Sequence, residues 1–330
     1  MKNINIHWLI PFSKIEFEEI KNSTIASIRL RAAVAADFFF KIGLKLTFGE
    51  KVEDEANTLL IGKIGTSEIK ERSDNWLKII SHAKKKGTKI VLDYTDHHLG
   101  FDSPMKEFYR SVLTYIDQAT VSSNYLGQML KNFFNGNIEV IPDAIEIPIY
   151  IEKKQFNNNY RSVLWFGHSS NILYLVKLIN NLDTFKIPIE LRILSNEQSL
   201  LVLQKINTKR LNNIKIKFDF WSVDKMILTA KDCDICIIPS DINEVKKMGV
   251  SSNRLLTALA LGLPTAADML PSYKIFNEYF TDIRSSGFNE LMLNPSKFTK
   301  HVEKAQKNIL PLYNFENIGK IWHKFLKNIT

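Results

Sequence analysis

The chain has 330 residues and a mass of 38.1 kDa, which predicts two domains of ordinary size. Apolar residues make up 45% and charged residues 24%, and this balance excludes a disordered chain, a collagen and a coiled-coil rod. The longest apolar stretch, residues 255–264, is about half a membrane span and is broken by Gly and Pro, so we expect no transmembrane helix. The first residues lack the features of a signal peptide, which predicts a cytoplasmic protein. The two cysteines cannot form a disulfide framework.

The excess positive charge lies in the second half of the chain. The net charge is +9. Residues 1–150 contain 19 Lys and Arg and 19 Asp and Glu, whereas residues 151–330 contain 25 and 16. A basic half of this kind favours anionic partners, which are phosphorylated small molecules, anionic lipid or nucleic acid. Composition does not choose among these three classes.

The predicted elements alternate along the chain between short apolar strands and longer amphipathic helices, which is typical of parallel sheets. In the first half, the predicted strands cover 4–10, 44–48, 57–62, 88–94, 118–123 and 138–143. The predicted helices there cover 27–43, 74–87, about 105–116 and a short segment ending near 134. The composition then changes over residues 147–160, which include a proline and three consecutive Asn. This change predicts a domain junction there.

A second series of the same kind follows the junction. Its predicted strands cover 161–167, 190–195, 214–220, 233–240 and 263–268, and its predicted helices cover 171–182 and 252–262. An amphipathic helix over 316–330 ends the chain. The fold class is therefore α/β, with two Rossmann-like doubly wound parallel-sheet domains facing a cleft, over 1–150 and 151–312. Residues 313–330 are expected to pack back on the N-terminal domain.

Polar residues directly after strands are the candidates for function, because ligands of doubly wound sheets bind beyond the carboxyl ends of the strands. The predicted strand 88–94 leads into Asp93, Asp96, His97 and His98. Carboxylate and imidazole groups there could supply a general base near neutral pH. The alternative is a loop in which Asp93 caps backbone amides and the histidines are solvated. No matching third ligand is evident, so we predict no metal site.

Two further segments have features of anion sites. Arg29 and Arg31 lie near the start of the predicted helix 27–43, where free amides and positive potential suit an anion; the alternative is a solvated arginine face. Gly167, His168 and Ser169 lie between a predicted strand and helix, where glycine permits close backbone approach to a phosphate. The alternative there is an ordinary capped turn.

The segment 233–268 carries the strongest pattern. A predicted strand ends at Pro239–Ser240, a loop with two lysines follows, and polar residues open a helix with Arg254 in its first turn. A helix start with hydroxyls, an arginine and nearby lysines suits a diphosphate. The helix ends at Gly262, before the next predicted strand.

The string PS, loop, helix and ALGLPT resembles the donor-site signature of GT-B fold glycosyltransferases of the family-4 type and of bacterial surface-polysaccharide glycosyltransferases. VLDYTDHH, ATVSSNYLGQML, IEVIPDAIEIP, ASIRLRAA and VLWFGHSSN resemble other parts of that pattern, in the same order. The resemblance implies transfer of a sugar from a nucleotide-sugar donor to a hydroxyl of a glycan or lipid-linked acceptor, in bacterial surface polysaccharide synthesis.

The resemblance, together with the candidates above, implies a set of site residues. The donor-binding residues are Gly167, His168, Ser169, Ser240, Lys247, Ser251, Ser252, Asn253, Arg254 and Thr257. The acceptor-binding residues are Arg29, Arg31 and His97, and the catalytic residues are Asp93, Asp96, His98 and Arg254. The chain departs from the pattern where family members carry two glutamates, since Gly249 and Thr257 stand there. Val250 stands where the pattern has a lysine, and the resemblance implies that Lys247 substitutes for it.

The implied partners are a nucleotide sugar, as substrate rather than bound cofactor, and the acceptor. Peripheral association with an anionic membrane, at its inner face, and no binding of nucleic acid are expected. Two alternatives stay open: a sugar-nucleotide 2-epimerase of the same fold, and a non-enzymatic module whose basic half binds nucleic acid or membrane.

Overall fold

A computed structural model describes residues 5–13, 15–53, 55–150, 155–157, 159–206 and 211–329. Residue 4 of the first predicted strand, residue 330 of the last predicted helix and residues 151–154 and 158 of the predicted junction lie outside this part of the chain. The chain divides into two compact units. The first comprises Met1–Glu146, Glu244–Ser251 and Leu312–Thr330, and the second comprises Ile147–Asn243 and Ser252–Pro311.

Each unit contains one six-stranded sheet of the described residues, and every strand pair in both sheets is parallel. The strands of the first sheet are β1 (Ile6–Leu9), β2 (Leu46–Phe48), β3 (Thr58–Ile61), β4 (Lys89–Tyr94), β5 (Gln118–Val121) and β6 (Asn137–Val140). Those of the second are β7 (Arg161–Phe166), β8 (Ile189–Ser195), β9 (Ile214–Phe220), β10 (Ile235–Ile238), β11 (Thr265–Ala267) and β12 (Thr281–Asp282). The predicted fold class of two Rossmann-like doubly wound sheets is confirmed.

The strand order fixes where each sheet can bind a ligand. The first sheet has the order β2-β1-β3-β4-β5-β6, so its connections reverse direction between β1 and β3. The second has the order β12-β11-β10-β7-β8-β9 and reverses between β7 and β10. Because the helices on either side of a reversal lie on opposite faces, a crevice forms there at the carboxyl ends of the strands.

The helices of the first half are α1 (Phe17–Lys21), α2 (Ala33–Lys41), α3 (Ile69–Lys85), α4 (Lys106–Val112) and α5 (Asn124–Leu130). The predicted helix 27–43 begins instead as one π-helical turn, Ile28–Ala32, and continues as α2. Such turns occur most often where a functional constraint overrides regular geometry. Here the turn contains both arginines that were predicted to bind an anion.

The later helices are α6 (Ile172–Leu182), α7 (Glu197–Leu203), α8 (Val223–Lys231), α9 (Val245–Met248), α10 (Asn253–Ala260), α11 (Gly287–Leu293), α12 (Thr299–Asn308) and α13 (Phe315–Ile329). The sequence did not predict α1, α7, α8, α9, α11 or α12, which have four to ten residues. Two of these helices, α9 and α13, belong to the first unit although they come late in the chain.

The terminal helix α13 completes one side of the first unit. It packs against α2, and its buried Trp322 meets Trp8 of β1 edge to face, with ring centres 5.0 Å apart. Gly319 allows the close approach, because a Cβ placed there would lie 2.5 Å from Cβ of Phe38. The other side of the first sheet is covered by α3, α4 and α5, with Trp76 and Phe108 in their shared core.

Candidate functional site

Arg254 lies at the switch point of the second sheet. Its Nη2 donates a hydrogen bond to the backbone oxygen of Phe166, the last residue of β7, at 2.7 Å. Its guanidinium carbon lies 5.4 Å from the ring centre of Trp165 and 5.9 Å from that of Phe166. Burial lowers the pKa of Arg254, and a guanidinium still keeps its charge in a protein. The switch point of the second sheet therefore carries a cation held by aromatic rings and one carbonyl.

The charge of Arg254 is not balanced by an acidic side chain. No carboxylate of the described residues acts on its charge, and its buried Nε has no hydrogen-bond partner among them. A cation removed from water is unfavourable unless a group of opposite charge lies beside it. The arrangement is suited to an anionic ligand.

Gly167 leaves space for the guanidinium group of Arg254. A Cβ at this position would lie 3.1 Å from Cζ of Arg254, so the side chain packs directly on the glycine backbone. The loop is fixed by Ser195, whose Oγ donates to the Gly167 carbonyl at 2.5 Å. Ser169 Oγ accepts from Asn196 Nδ2 at 3.2 Å, and His168 is exposed. The predicted phosphate loop and the predicted arginine are thus brought together.

Ser240 follows β10, the other strand of the switch point. Its backbone N–H donates to Asp268 Oδ2 at 2.7 Å, and the second oxygen of this buried carboxylate pairs with Arg284. A cavity of about 720 Å³ opens here, and Ser240, Asp268, Arg284, Tyr174 and Lys177 are among its lining residues. This volume is within the range of about 300–1,000 Å³ for small-molecule sites.

The start of α10 supplies the remaining predicted donor residues of the second unit. Ser252 and Asn253 lie beside Arg254 in sequence. Thr257, one turn later, is buried, and its hydroxyl has no hydrogen-bond partner in the described part of the chain. Lys247 and Ser251, predicted with them, belong instead to the first unit.

Arg31 and Asp93 form a buried network in the first unit and do not face solvent. Arg31 Nε and Nη2 donate to Asp93 Oδ1 at 2.8 and 2.6 Å, and Thr120 Oγ1 donates to the same oxygen at 2.7 Å. Arg31 Nη1 donates to the Ile141 carbonyl and to Asp143. Because every guanidinium nitrogen is occupied, the predicted acceptor-binding role of Arg31 and catalytic role of Asp93 do not fit this geometry.

Arg29 has a similar position. Its Nε and Nη2 donate to the two oxygens of Glu146 at 2.7 and 3.1 Å, and its Nη1 donates to the Ser23 carbonyl. The side chain of Arg29 is buried. Its guanidinium is therefore directed at the protein itself, and the predicted contact with an acceptor does not fit either.

Asp96 is the predicted carboxylate that solvent reaches, with 34% of its side chain exposed. It forms an ion pair with Lys63, and its Oδ2 lies 4.0 Å from His98 Nε2. Burial alone would raise the pKa of Asp96, but the positive charges of Lys63 and Lys247 and the neighbouring His98 outweigh it and lower that pKa. Asp96 is thus held as an anion at the carboxyl end of β4.

The two histidines beside Asp96 are buried. Burial lowers the pKa of His98 to about 4, so its ring is neutral at pH 7. His98 Nδ1 lies 2.9 Å from Ser103 Oγ, and the ring stacks on Tyr109. Its buried Nε2 has no hydrogen-bond partner within the described residues. Burial also lowers the pKa of His97. Its ring packs edge to face against Tyr94 in the interior of the first unit.

Sequence reasoning missed Lys63 and Glu146. Lys63 comes two residues after β3, and β3 and β4 are neighbours in the sheet. The carboxyl ends of adjacent parallel strands meet at one edge, so this position was a usable signal for Lys63. Glu146 follows no strand directly, and nothing local in the sequence pairs it with Arg29.

Two further observations concern metal and membrane. Among the residues that the structure describes, no group of three or more His, Cys, Asp or Glu could hold a metal ion. No helix in the described ranges is long and apolar enough to cross a bilayer.

Comparison by sequence gives no match: no family model matches the chain, and no curated protein does. Comparison with solved structures does. Anabaena Alr3699/HepE, in complex with UDP and glucose, has a TM-score of 0.66 and 12% identity, over 98% of this chain and 100% of that one. An alpha-glucosyltransferase in complex with UDP and DNA has a TM-score of 0.65 and 11% identity, over 98% and 99%.

TarM has a TM-score of 0.59 and 16% identity over 82% of this chain, which spans only 54% of TarM. Similarity at these identities concerns the fold. The chain has the fold of two Rossmann-like domains that is found in GT-B glycosyltransferases.

Proposed function

We propose that this protein is a glycosyltransferase that moves a sugar from a nucleotide-sugar donor to a hydroxyl of a glycan or lipid-linked acceptor. The observation that carries the proposal is Arg254, a cation without a carboxylate partner at the switch point of the second sheet. A nucleoside diphosphate supplies the missing counter-charge. The fold shared with UDP-bound glycosyltransferases supports the same reading.

In this proposal the second unit binds the donor. The diphosphate lies on Gly167 and Arg254, with Ser169, Ser252 and Asn253 as further hydrogen-bonding groups. The cavity beside Ser240 provides space for another part of the donor. When the bond between the sugar carbon and the phosphate oxygen breaks, negative charge grows on the leaving diphosphate. Arg254 stabilises that charge, and its desolvated setting strengthens the effect.

The first unit binds the acceptor in this proposal. Asp96 accepts a hydrogen bond from the acceptor hydroxyl and orients it, and the hydroxyl oxygen forms the new bond to the sugar carbon while its proton passes to the leaving diphosphate. His98 lies behind Asp96. Arg31, Asp93 and Arg29 shape this edge from within and do not touch the acceptor.

The proposed acceptor class rests on the sequence resemblance and on the charge of the second half. The resemblance to surface-polysaccharide enzymes favours a glycan or lipid-linked acceptor at the inner face of a membrane, and the basic second half suits an anionic surface. One structural neighbour is in complex with DNA. Transfer assays therefore include a DNA duplex beside glycan and lipid-linked acceptors, and label on DNA alone would overturn the glycan assignment.

Donor binding is tested by isothermal titration with UDP, GDP, ADP, dTDP and CMP. We expect one nucleotide to bind, and Arg254→Ala to weaken it at least tenfold, or about 1.4 kcal/mol. The matched control is Arg192→Ala, an arginine of β8 that pairs with Glu190 and Asp232. This control keeps the wild-type affinity. Binding of none of the nucleotides, or equal affinity in the Arg254 variant, would defeat the proposal.

A further inference from the structure

The segment Glu244–Ser251 comes between donor-side strand β10 and donor-side helix α10 in sequence, yet it packs with the first unit. Gly249 lies against Leu126 of α5, and a Cβ there would be 2.7 Å from Leu126 Cδ1 and 3.5 Å from His97 Cβ. Ser251 hydrogen-bonds Asp143, the second carboxylate on Arg31. This segment therefore contacts Asp143, which belongs to the Arg31 network, and lies close to His97, which follows Asp96 in its loop.

Lys247 is the buried lysine of this segment. It lies on α9, which packs against residues 98–100, just after Asp96 in the chain, and its charge acts on Asp96. Lys63, from the loop after β3, pairs with the same carboxylate. Asp96 thus faces ammonium groups from two separate elements. Other titratable groups around it in the described part of the chain are His97 and His98 in its own loop, Tyr94 of β4 and Tyr109 of α4. His98 and both tyrosines are neutral at pH 7, because burial lowers the pKa of His98 and raises that of each tyrosine.

We propose that Lys63 and Lys247 are positioning residues of the acceptor side, which hold the Asp96 carboxylate ionised and oriented for the acceptor hydroxyl. This inference rests on the proposed function, which gives Asp96 its role at the acceptor. It assigns Lys247 to the acceptor side, whereas the sequence predicts it at the donor site. The carboxylate is a poor proton acceptor between two cations and a good hydrogen-bond acceptor. Its task is then to orient the hydroxyl.

The position of Gly249 supports this assignment. The resemblance places a glutamate of the donor site at this residue. A Cβ there would lie 2.7 Å from Leu126 Cδ1, so a glutamate at this position requires the Leu126 side chain to shift. The segment instead brings a lysine to the acceptor carboxylate.

The test compares Lys247→Met and Lys63→Met with Lys246→Met in the full chain. Lys246 is the adjacent lysine and is exposed, with its ammonium group on Glu244. Two quantities are measured: the titration of the Asp96 carboxyl carbon by NMR, assigned with Asp96→Asn, and the affinity for the nucleotide that the wild type binds. A fourth variant, Lys63→Arg, keeps the charge.

We expect Lys247→Met and Lys63→Met each to raise the midpoint of the Asp96 titration by about 1 pH unit, because an opposite charge at this range lowers a carboxyl pKa by about 1–3 units. Lys63→Arg restores the wild-type midpoint, and Lys246→Met leaves it unchanged. Nucleotide affinity stays within twofold in all four variants. Where transfer is measurable, the acid limb of kcat/KM for the acceptor moves to higher pH with the same two variants.

A tenfold loss of nucleotide affinity in Lys247→Met, with the Asp96 titration unchanged, would overturn the proposal and return Lys247 to the donor. Unchanged titration in Lys63→Met would also overturn it. The NMR titration needs no substrate. It therefore reports on the lysines even if the wild type binds none of the nucleotides, an outcome that defeats the proposed function alone.

Discussion

Arg31 is the centre of a buried polar network in the first unit. It is fully buried and holds Asp93, Asp143 and the Ile141 carbonyl, with its guanidinium carbon 5.1 Å from the ring centre of Trp322. A buried charge left without its partner is more costly than the pair is stabilising. We therefore assign Arg31 to stability rather than to acceptor binding.

Arg31→Met should lower the free energy of unfolding by about 3–5 kcal/mol, since Asp93 stays buried without its cation. The measurement is urea unfolding followed by tryptophan fluorescence. Arg110→Met is the control: its pair with Glu107 is exposed on α4, and the expected change is within about 0.5 kcal/mol. Equal losses in the two variants would show that the Arg31 network carries no special stability.

Local sequence predicted where the candidate side chains lie along the chain better than it predicted which groups they contact. Asp96 and Arg254 come directly after predicted strand or helix boundaries, and the structure places both at the carboxyl edge of a sheet. Arg31 also lies at a predicted boundary, but its partners are 62 and 112 residues away. Nothing local in a sequence specifies such distant pairs. The same limit applies to Lys247, which the sequence predicts at the donor site and which we propose for the acceptor side.

At the scale of elements, burial decided what could be predicted. Strands β3, β4 and β7 are buried at almost every position, and their continuous apolar runs identified them. The seven residues of α7 and the four of α9 offer too few turns for a clear 3.6-residue period. The sequence did not distinguish the π-helical turn Ile28–Ala32 from an α-helix, because its residues fit both.

The contact between α13 and α2 gives a prediction at this scale. Replacing glycine by alanine inside a helix normally stabilises it by about 1 kcal/mol. At Gly319 the new Cβ would lie 2.5 Å from Phe38 Cβ, an atom that cannot rotate away. Gly319→Ala should therefore destabilise the protein by about 1–3 kcal/mol, as overpacking does.

Thermal and urea unfolding measure this change. Lys324→Ala, at an exposed position of the same helix, is the control for helix propensity and should change stability by less than about 0.5 kcal/mol. A gain in stability for Gly319→Ala would mean that α13 can move away from α2 at no cost.

Over the whole molecule, histidines are distributed unevenly in burial. The first unit buries His7, His97 and His98, and burial lowers the pKa of each. The second unit contains His168 and His301, both exposed. Composition gave the net charge of each half but not this difference, because burial depends on the finished fold.

The difference predicts that acid destabilises the first unit. A histidine with a lowered folded pKa binds its proton more readily when unfolded, so stability is full above about pH 6.5 and falls as pH falls toward the folded pKa. For His98 the window runs from the ordinary value near 6.5 down to about 4. Its protonation alone removes about 3 kcal/mol of stability across that window.

Urea unfolding between pH 7 and pH 4 measures this loss. His98→Asn cannot titrate there, and its amide can still reach Ser103. We expect the variant to be less stable than the wild type at pH 7 and to lose about 3 kcal/mol less on acidification. His301→Asn changes an exposed residue of the second unit, and its free energy of unfolding should fall with pH in parallel with that of the wild type. Parallel curves for His98→Asn would mean that protonated His98 reaches solvent or a partner in the folded protein. Asp96, 4.0 Å from Nε2, is the nearest candidate for that partner.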